Sequence, residues 1–437
     1  MRGPPEGDGT VRILARLRGG RKPLYANQAF GQLGHGVAAP FVPYYATRLG
    51  ATTADLGWLT AFSNLFPNLL QYPWGRMSDR VGRRVPFIAF GTILSASLFL
   101  LIAASATPWQ LILVVLVQAI AASIVAPTWS ALLGERSRFG KRGWFFGRIS
   151  RAGGIASLFG TLLAAVIVVR FPGTSAEGFH LGFVLAAAMG IGAGLVMLLV
   201  RERKAEGPGE AAAADPAGAA ERRADFLHFT KVQSFYNFFM ALAWPLIPIT
   251  VAIVLGATNF DIVMIAVVSA VSTVVLQSQV GRLLDRVGPV PLIQASRFLF
   301  VLVPLAYAFA PNLLAIYMIS AVMGVPTAIV NVAFNAYILD VAPPTKHAGY
   351  FGTFNGAIGI VTFAGTLIGG YLAHALLAVW ALPVALMAVY LVSAAGRAAG
   401  AFLSLRIHDP ARYTESVGEV WERFEHQIRN GGANGGR

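Results

Sequence analysis

A charged ten-residue stretch occurs twice in a chain that is otherwise strongly apolar. Residues 75–84 read GRMSDRVGRR and residues 281–290 read GRLLDRVGPV, although charged residues make up only 12% of the sequence. Glycine permits a tight turn, and a carboxylate can form charge-assisted hydrogen bonds with arginine or contact a helix end. The chemistry indicated is reversible ion pairing. The residues concerned are Gly75, Arg76, Asp79, Arg80, Gly82 and Arg83 in the first copy and Gly281, Asp285, Arg286 and Gly288 in the second.

Two acidic residues are the expected partners of these arginines. Glu135 and Asp340 each close an apolar segment on the same side as the decapeptides. Such ion pairs could lock one half of the chain against the other and break when the protein rearranges. The alternative is that the arginines only set membrane orientation or anchor to anionic lipid headgroups. The repeated spacing favours the locking role.

A second group of polar and aromatic residues lies within the apolar segments. Polar groups in a bilayer are costly and tend to face a cavity or a partner helix. Spacings of four and three place Gln28, Gln32 and His35 on one helical face. Hydrogen bonding between helices is the alternative for each residue singly, and a buried neutral imidazole is the alternative for His35. As a group they predict a solute cavity lined by Gln28, Gln32, His35, Trp129, Gln233, Asn237, Trp244, Asn331 and Asn335.

Enzymatic chemistry is not indicated. The chain has no cysteine, and its seven histidines are scattered without metal-ligand spacing. No Walker-type phosphate loop occurs, and no Asp or Glu lies in the middle of an apolar segment. We therefore expect neither an enzyme nor a bound metal or cofactor. Proton coupling stays open, with His35 as the titratable candidate.

The elements that must position these residues are transmembrane helices. The mean hydropathy is +0.63, and stretches of the roughly 20 apolar residues that cross a bilayer fill most of the chain. We predict an all-α polytopic membrane protein with twelve transmembrane helices, at residues 24–49, 55–74, 85–106, 109–133, 146–170, 179–200, 226–255, 259–280, 290–310, 313–339, 348–376 and 379–403.

The positive charge predicts the orientation in the membrane. The net charge is +14, and nearly all Lys and Arg fall at alternate ends of the apolar segments. Because basic residues favour the cytoplasmic side, we expect a multi-pass protein of the cytoplasmic membrane with both termini inside. Anionic lipids would contact that face. The charge is thus accounted for by topology, and no nucleic-acid partner is predicted.

The two halves of the chain are internal repeats. Pro40 and Pro245 are 205 residues apart, as are the FFG at 145–147 and the YFG at 350–352. Six segments per half give parallel repeats, an arrangement in which two halves rock about a central site. The predicted domains are a cytoplasmic segment 1–23, a six-helix bundle 24–201, a linker 202–225, a second bundle 226–405 and a cytoplasmic amphipathic tail 406–437.

On these motifs the chain resembles the major facilitator superfamily. GRMSDRVGRR is similar to the signature loop of that family, GRLLDRVGPV to its second-half echo, and KRGWFFG, with Arg142, to the Arg-Gly stretch that follows the fourth span. The resemblance implies a twelve-helix transporter that works by alternating access. It also implies that Asp79 and Arg80, with Glu135, belong to a charge network that stabilises the outward-open state. The family's proton-driven drug exporters often carry an arginine in the fourth span, where this chain has only Gln118.

We expect a monomeric secondary transporter for a small organic solute. Export of amphipathic compounds is one interpretation, and uptake of a small nutrient such as a sugar is the alternative. A non-transporting membrane sensor on the same fold is a third, because fold does not fix function.

Overall fold

The chain is helical throughout the part that the computed structural model describes. The described residues are 22–136, 142–170, 176–200, 202, 216–342 and 347–408, and every regular element among them is a helix. Residues 1–21, residues 203–215 of the predicted linker and the predicted tail after residue 408 lie outside these residues, whereas residues 216–225 of the predicted linker belong to a helix. We number the spans 1 to 12 in chain order.

The first half contains spans 1 to 6. Span 1 bends at a 3₁₀ turn, Ala39–Phe41, which holds Pro40, and spans 2 and 4 are each divided by a short break. The helices are Lys22–Ala38 and Val42–Arg48 (span 1), Thr53–Leu69 and Gln71–Val81 (span 2), Val85–Ala103 (span 3), Pro108–Ala122 and Val125–Arg136 (span 4), Arg142–Val169 (span 5) and His180–Met197 (span 6).

The second half contains spans 7 to 12 and repeats the bend of span 1. Span 7 turns at Trp244–Leu246, which holds Pro245, because proline lacks the N–H that continues an α-helix. The helices are Pro216–Ala243, Ile247–Ile249 and a π-helical turn Thr250–Val254 (span 7), Asn259–Val287 (span 8), Pro289–Leu299 and Leu302–Phe309 (span 9), Leu313–Val322 and Gly324–Val341 (span 10), His347–Leu376 (span 11) and Leu382–Ser404 (span 12).

Ten helical stretches among the described residues are long and apolar enough to cross a membrane. Spans 1 and 2 complete the twelve, but each is divided into shorter helices, the longest of 17 residues, and they hold many of the intramembrane polar residues. The observed all-α architecture agrees with the prediction of a polytopic protein built from two parallel six-helix repeats.

Equivalent helix pairs in the two halves make equivalent close contacts. A Cβ on Gly160 of span 5 would collide with the carbonyl oxygen of Leu33 in span 1. At the equivalent place in the second half, a Cβ on Gly365 of span 11 would collide with the carbonyl oxygen of Phe238 in span 7. Glycine therefore lets the same pair of helices approach closely in both halves.

Spans 2 and 8, which both contribute to the seam between the halves, begin with the same capping motif. In span 2, Thr52 and Asp55 form a capping box, with the Asp55 N–H donating to Thr52 Oγ1 and the Thr52 N–H donating to Asp55 Oδ2 at 2.8 Å. Thr258 and Asp261 form the same box at the start of span 8. Both boxes satisfy N–H groups that the first helical turn leaves unpaired.

Three apolar cores connect the helices. We call the side at which spans 2 and 8 end, next to the basic connections, the basic face, and the other side the opposite face. One core at the opposite face contains residues of both halves, from Phe41 and Leu56 to Ile262 and Tyr390. The two cores near the basic face are separate, one within the first half and one within the second. The halves are therefore joined at the opposite face.

Candidate functional site

The seam between the halves is formed by span 2 against span 11 and by span 5 against span 8. At the opposite face, Arg48 donates from Nη2 to the carbonyl oxygen of Ala257 at 2.6 Å and from Nη1 to that of Ala252 at 3.5 Å. The indole Nε1 of Trp58 donates to the hydroxyl of Tyr371 at 3.0 Å. These hydrogen bonds cross from one half to the other and close the opposite face.

Glycines bring spans 2 and 11 into backbone contact along this seam. A Cβ on Gly370 would lie 2.6 Å from the carbonyl oxygen of Thr53 and 3.0 Å from the Cα of Gly57. Further toward the basic face, Asn355 Nδ2 donates to Gln71 Oε1 at 3.4 Å. Beyond this pair, toward the basic face, Tyr72 is 63% and Val81 55% exposed.

The repeated decapeptides lie at the basic face. Sequence placed them in the connections after spans 2 and 8, but the helices continue through them to Val81 and Val287. The backbone then takes a positive φ, 68° at Gly82 and 81° at Gly288, which only glycine adopts without strain. The helices run further than predicted because Arg, Met, Ser and Leu are all compatible with a helix. Each helix ends just before a glycine with a positive φ, Gly82 in the first copy and Gly288 in the second.

Three of the four arginines of the first copy are exposed. They are Arg76, Arg80 and Arg83, and Arg76 stacks on the ring of Tyr72 at 5.9 Å. In the second copy Arg286 is also exposed, as is Asp340 at the end of span 10. Gly75 and Gly281 lie within their helices. The side chains of Asp79, Glu135, Arg142 and Asp285 lie outside the described residues, so the predicted charge network stays a prediction.

An acidic partner that sequence reasoning missed is Glu202, which follows span 6. Its Oε1 accepts hydrogen bonds from the backbone N–H groups of Arg84 and Val85, the latter at 2.9 Å. The guanidinium of Arg84 donates from Nη1 to Ser78 Oγ at 2.6 Å. A carboxylate at the N-terminus of span 3 satisfies free N–H groups and interacts favourably with the helix dipole. The predicted linker begins at Glu202, and no short-range sequence signal links this residue to span 3.

A cavity of about 550 Å³ lies inside the first half, between spans 1, 2, 3, 4 and 6. It is of the size that small-molecule sites commonly have. The side chain of His35 is exposed to this space, although the residue lies within span 1. The polar side chains that line it are those of His35, Thr60, Ser63, Asn64, Thr92, Ser95 and Gln118, and its apolar wall includes Leu59, Phe99 and Val115.

The other predicted solute residues lie in several places. Gln28 and Gln32 lie against Gly153 of span 5, and Trp129 packs on the first-half core near the basic face. Trp244 is half-buried in the turn of span 7. Asn331 and Asn335 are exposed on span 10, with Asn335 Nδ2 donating to the carbonyl oxygen of Asn331 at 3.1 Å. Of the predicted set, only His35 lines the first-half cavity.

In span 7 the predicted polar residues are buried. Gln233 is fully buried, and neither its amide oxygen nor its amide nitrogen has a hydrogen-bond partner among the described residues. Asn237 donates from Nδ2 to the carbonyl oxygen of Gln233 at 2.8 Å. Whether these residues share one solute site with those of the first half stays a prediction.

Two buried arginines in the second half were not recognised from sequence as interior groups. Arg397 of span 12 donates to Ser393 Oγ at 3.1 Å and to the carbonyl oxygens of Phe300 at 2.9 Å and Met240 at 3.1 Å. It thereby links spans 7, 9 and 12. Arg297 of span 9 is 2% exposed, with its guanidinium carbon 4.3 Å from the ring centroid of Tyr236. Such cation–π contact partly offsets desolvation.

A sequence model described as Major Facilitator Superfamily matches residues 24–241 and again residues 230–426. An uncharacterised MFS-type transporter of Methanocaldococcus jannaschii is 34% identical over 119 residues, which cover 27% of this chain and 31% of that relative. The chain therefore aligns with less than a third of the relative's length.

Solved transporters share the fold at low sequence identity. A variant of the nucleoside transporter NupG superposes with a TM-score of 0.69 at 14% identity, covering 89% of this chain and 100% of that chain. An auto-inhibited POT family peptide transporter gives 0.70 at 11% identity, with 92% and 99% covered. A bacterial homologue of the human lysosomal transporter Spinster, inward-facing and unoccupied, gives 0.61 at 16% identity, with 93% and 100% covered. These likenesses confirm the predicted fold.

Proposed function

Because the chain belongs to the Major Facilitator Superfamily, we propose that it is a secondary transporter that moves a small organic solute by alternating access across the cytoplasmic membrane. One observation carries the proposal. The two halves share a core and cross-half hydrogen bonds at the opposite face, whereas their cores near the basic face are separate. A solute path that is closed on one side and open on the other is what a rocking pair of repeats requires.

The positive-inside rule makes the basic face cytoplasmic, so the conformation in which the halves are joined at the opposite face is inward-facing. Exposed Arg76, Arg80, Arg83 and Arg286 would then lie near the anionic headgroups of the inner leaflet. Both termini would be cytoplasmic and the working unit a monomer, since each chain supplies both halves of the seam. No cofactor is part of this mechanism, and coupling to protons would use a titratable group on the solute path.

The experiment is flux into and out of liposomes that contain the purified protein. A panel of labelled neutral, anionic and cationic solutes is loaded on one side, and counterflow is measured against liposomes with the heat-inactivated protein. We expect saturable counterflow of at least one solute class. The direction of net movement under an imposed solute or pH gradient distinguishes export from uptake. A protein that moves no member of the panel, although some members bind it, is a sensor and contradicts the proposal.

A further inference from the structure

Three of the hydroxyl groups that line the first-half cavity donate to backbone carbonyl oxygens of their own helices. On span 2, Thr60 Oγ1 donates to the carbonyl oxygen of Leu56 at 2.7 Å and Ser63 Oγ to that of Leu59 at 2.8 Å. Ser95 Oγ of span 3 donates to the carbonyl oxygen of Thr92 at 3.2 Å. A hydroxyl has one hydrogen, so each of these groups can offer a solute only the lone pairs of its oxygen.

Each of the two side-chain amides that line the cavity directs its nitrogen toward a backbone carbonyl oxygen. Asn64 Nδ2 donates to the carbonyl oxygen of Thr60 at 2.8 Å, and Gln118 Nε2 of span 4 donates to that of Ser95 at 3.0 Å. A carbonyl oxygen can only accept, so the amide nitrogen must be the atom that faces it. Each amide oxygen is thereby left available, along with one of the two N–H groups. Oxygen acceptors outnumber free donors around the cavity.

The cavity also lacks a fixed charge. No Lys, Arg, Asp or Glu is among the described residues that line it, and His35 is the one lining residue that can titrate near neutral pH. An anion would meet acceptor oxygens without a compensating cation. A cation would lose its hydration without a carboxylate partner. Both charged classes are therefore disfavoured, whereas a neutral group with several O–H or N–H donors finds acceptors.

From these contacts we propose that the first-half cavity is a binding subsite for a neutral solute that combines several hydroxyl or N–H donors with one apolar part. The donors bind the oxygens of Thr60, Ser63, Asn64 and Gln118, and the apolar part packs on Leu59, Phe99 and Val115. This subsite deepens the proposed transport function and rests on it. Aryl glycosides and nucleosides have the required chemistry, as do other polyols with an apolar substituent.

Binding to the full-length protein in detergent tests the proposal without requiring transport. The probes are aryl glucosides and purine nucleosides, each paired with its fully O-methylated ether, together with benzoate and benzylammonium. Affinity is measured by calorimetry or by thermal stabilisation. We expect at least one hydroxyl-bearing probe to bind about tenfold or more tightly than its ether, since several hydrogen bonds are lost on methylation. An ether, benzoate or benzylammonium that binds as tightly as every hydroxyl-bearing probe overturns the proposal.

Two matched variants locate the bound probe. Thr60→Val keeps the side-chain shape and removes the cavity-facing oxygen, so we expect about three- to tenfold weaker binding. Thr273→Val of span 8 is the control, because Thr273 Oγ1 makes the same kind of bond, to Ser269 at 2.8 Å, outside the cavity. Equal affinities in Thr60→Val, Thr273→Val and wild type would overturn the placement. Probe binding without flux would contradict the proposed transport function and support the subsite. Flux without a preference for hydroxyl-bearing probes would support the transport function and contradict the subsite.

Discussion

The seam between spans 2 and 11 predicts how a single methyl group would shift the conformational equilibrium. In Gly370→Ala the new Cβ would lie 2.6 Å from the Thr53 carbonyl oxygen and 3.0 Å from the Gly57 Cα. Both are backbone atoms of the other half, so neither can rotate away. Overpacking of this kind costs about 1–3 kcal/mol. Because the contact exists only while the opposite face is closed, the cost falls on that conformation alone, and the equilibrium moves about 5- to 150-fold toward the conformation in which the basic face closes.

The chain offers both a reporter and a control for this measurement. It contains no cysteine, so Val81→Cys and Leu339→Cys, two exposed positions at the basic-face ends of spans 2 and 10, can be spin-labelled specifically. Double electron–electron resonance then reports the fraction of molecules with short distances across the basic face. Gly356→Ala is the control, because a Cβ at this position of span 11 meets nothing within 4 Å. The reasoning is refuted if the distance distributions of Gly370→Ala and Gly356→Ala coincide.

Three further predictions concern single side chains. Arg397→Met removes three hydrogen bonds, two of which link span 12 to spans 7 and 9, and we expect a loss of about 2–4 kcal/mol in the free energy of unfolding, measured as a lower Tm in detergent. An unchanged melting curve would argue against the structural role. Asp79→Asn is expected to reduce flux about tenfold, the value of one charge-assisted hydrogen bond, with normal membrane insertion, and wild-type flux would exclude the locking role. If His35 couples transport to protons, His35→Gln abolishes the change of flux between about pH 5 and pH 8; a persisting pH profile assigns coupling elsewhere.

Features that depend on periodicity and repetition could be predicted from sequence. Apolar segments of bilayer length predicted the helices, and the 205-residue offset between Pro40 and Pro245 predicted the repeat, whose equivalent bends in spans 1 and 7 hold these two prolines. The repeat extends to the equivalent helix contacts of Gly160 and Gly365. These features follow from local backbone chemistry or from residues that occur in both halves, so a single sequence contains them.

Features that depend on how helices rotate against one another could not be predicted. A helical face identifies Gln28, Gln32 and His35 as neighbours, but only packing decides that His35 meets the first-half cavity while the two glutamines meet span 5. The cavity residues Thr60, Ser63 and Asn64 carried no signal, because a hydroxyl or amide that bonds the preceding helical turn is tolerated anywhere in a span. Arg397 was missed for a similar reason, since its three acceptors come from three different spans.

Alternating access is tested most directly by locking the opposite face. In the variant with Trp58→Cys and Tyr371→Cys, whose native side chains meet at 3.0 Å across the seam, a short bifunctional thiol reagent links spans 2 and 11. Flux of the solute that shows the strongest counterflow is measured in liposomes before and after cross-linking. Alternating access predicts that flux falls to the background of protein-free liposomes and returns when a reducible cross-link is cleaved. Full flux through completely cross-linked protein would contradict it.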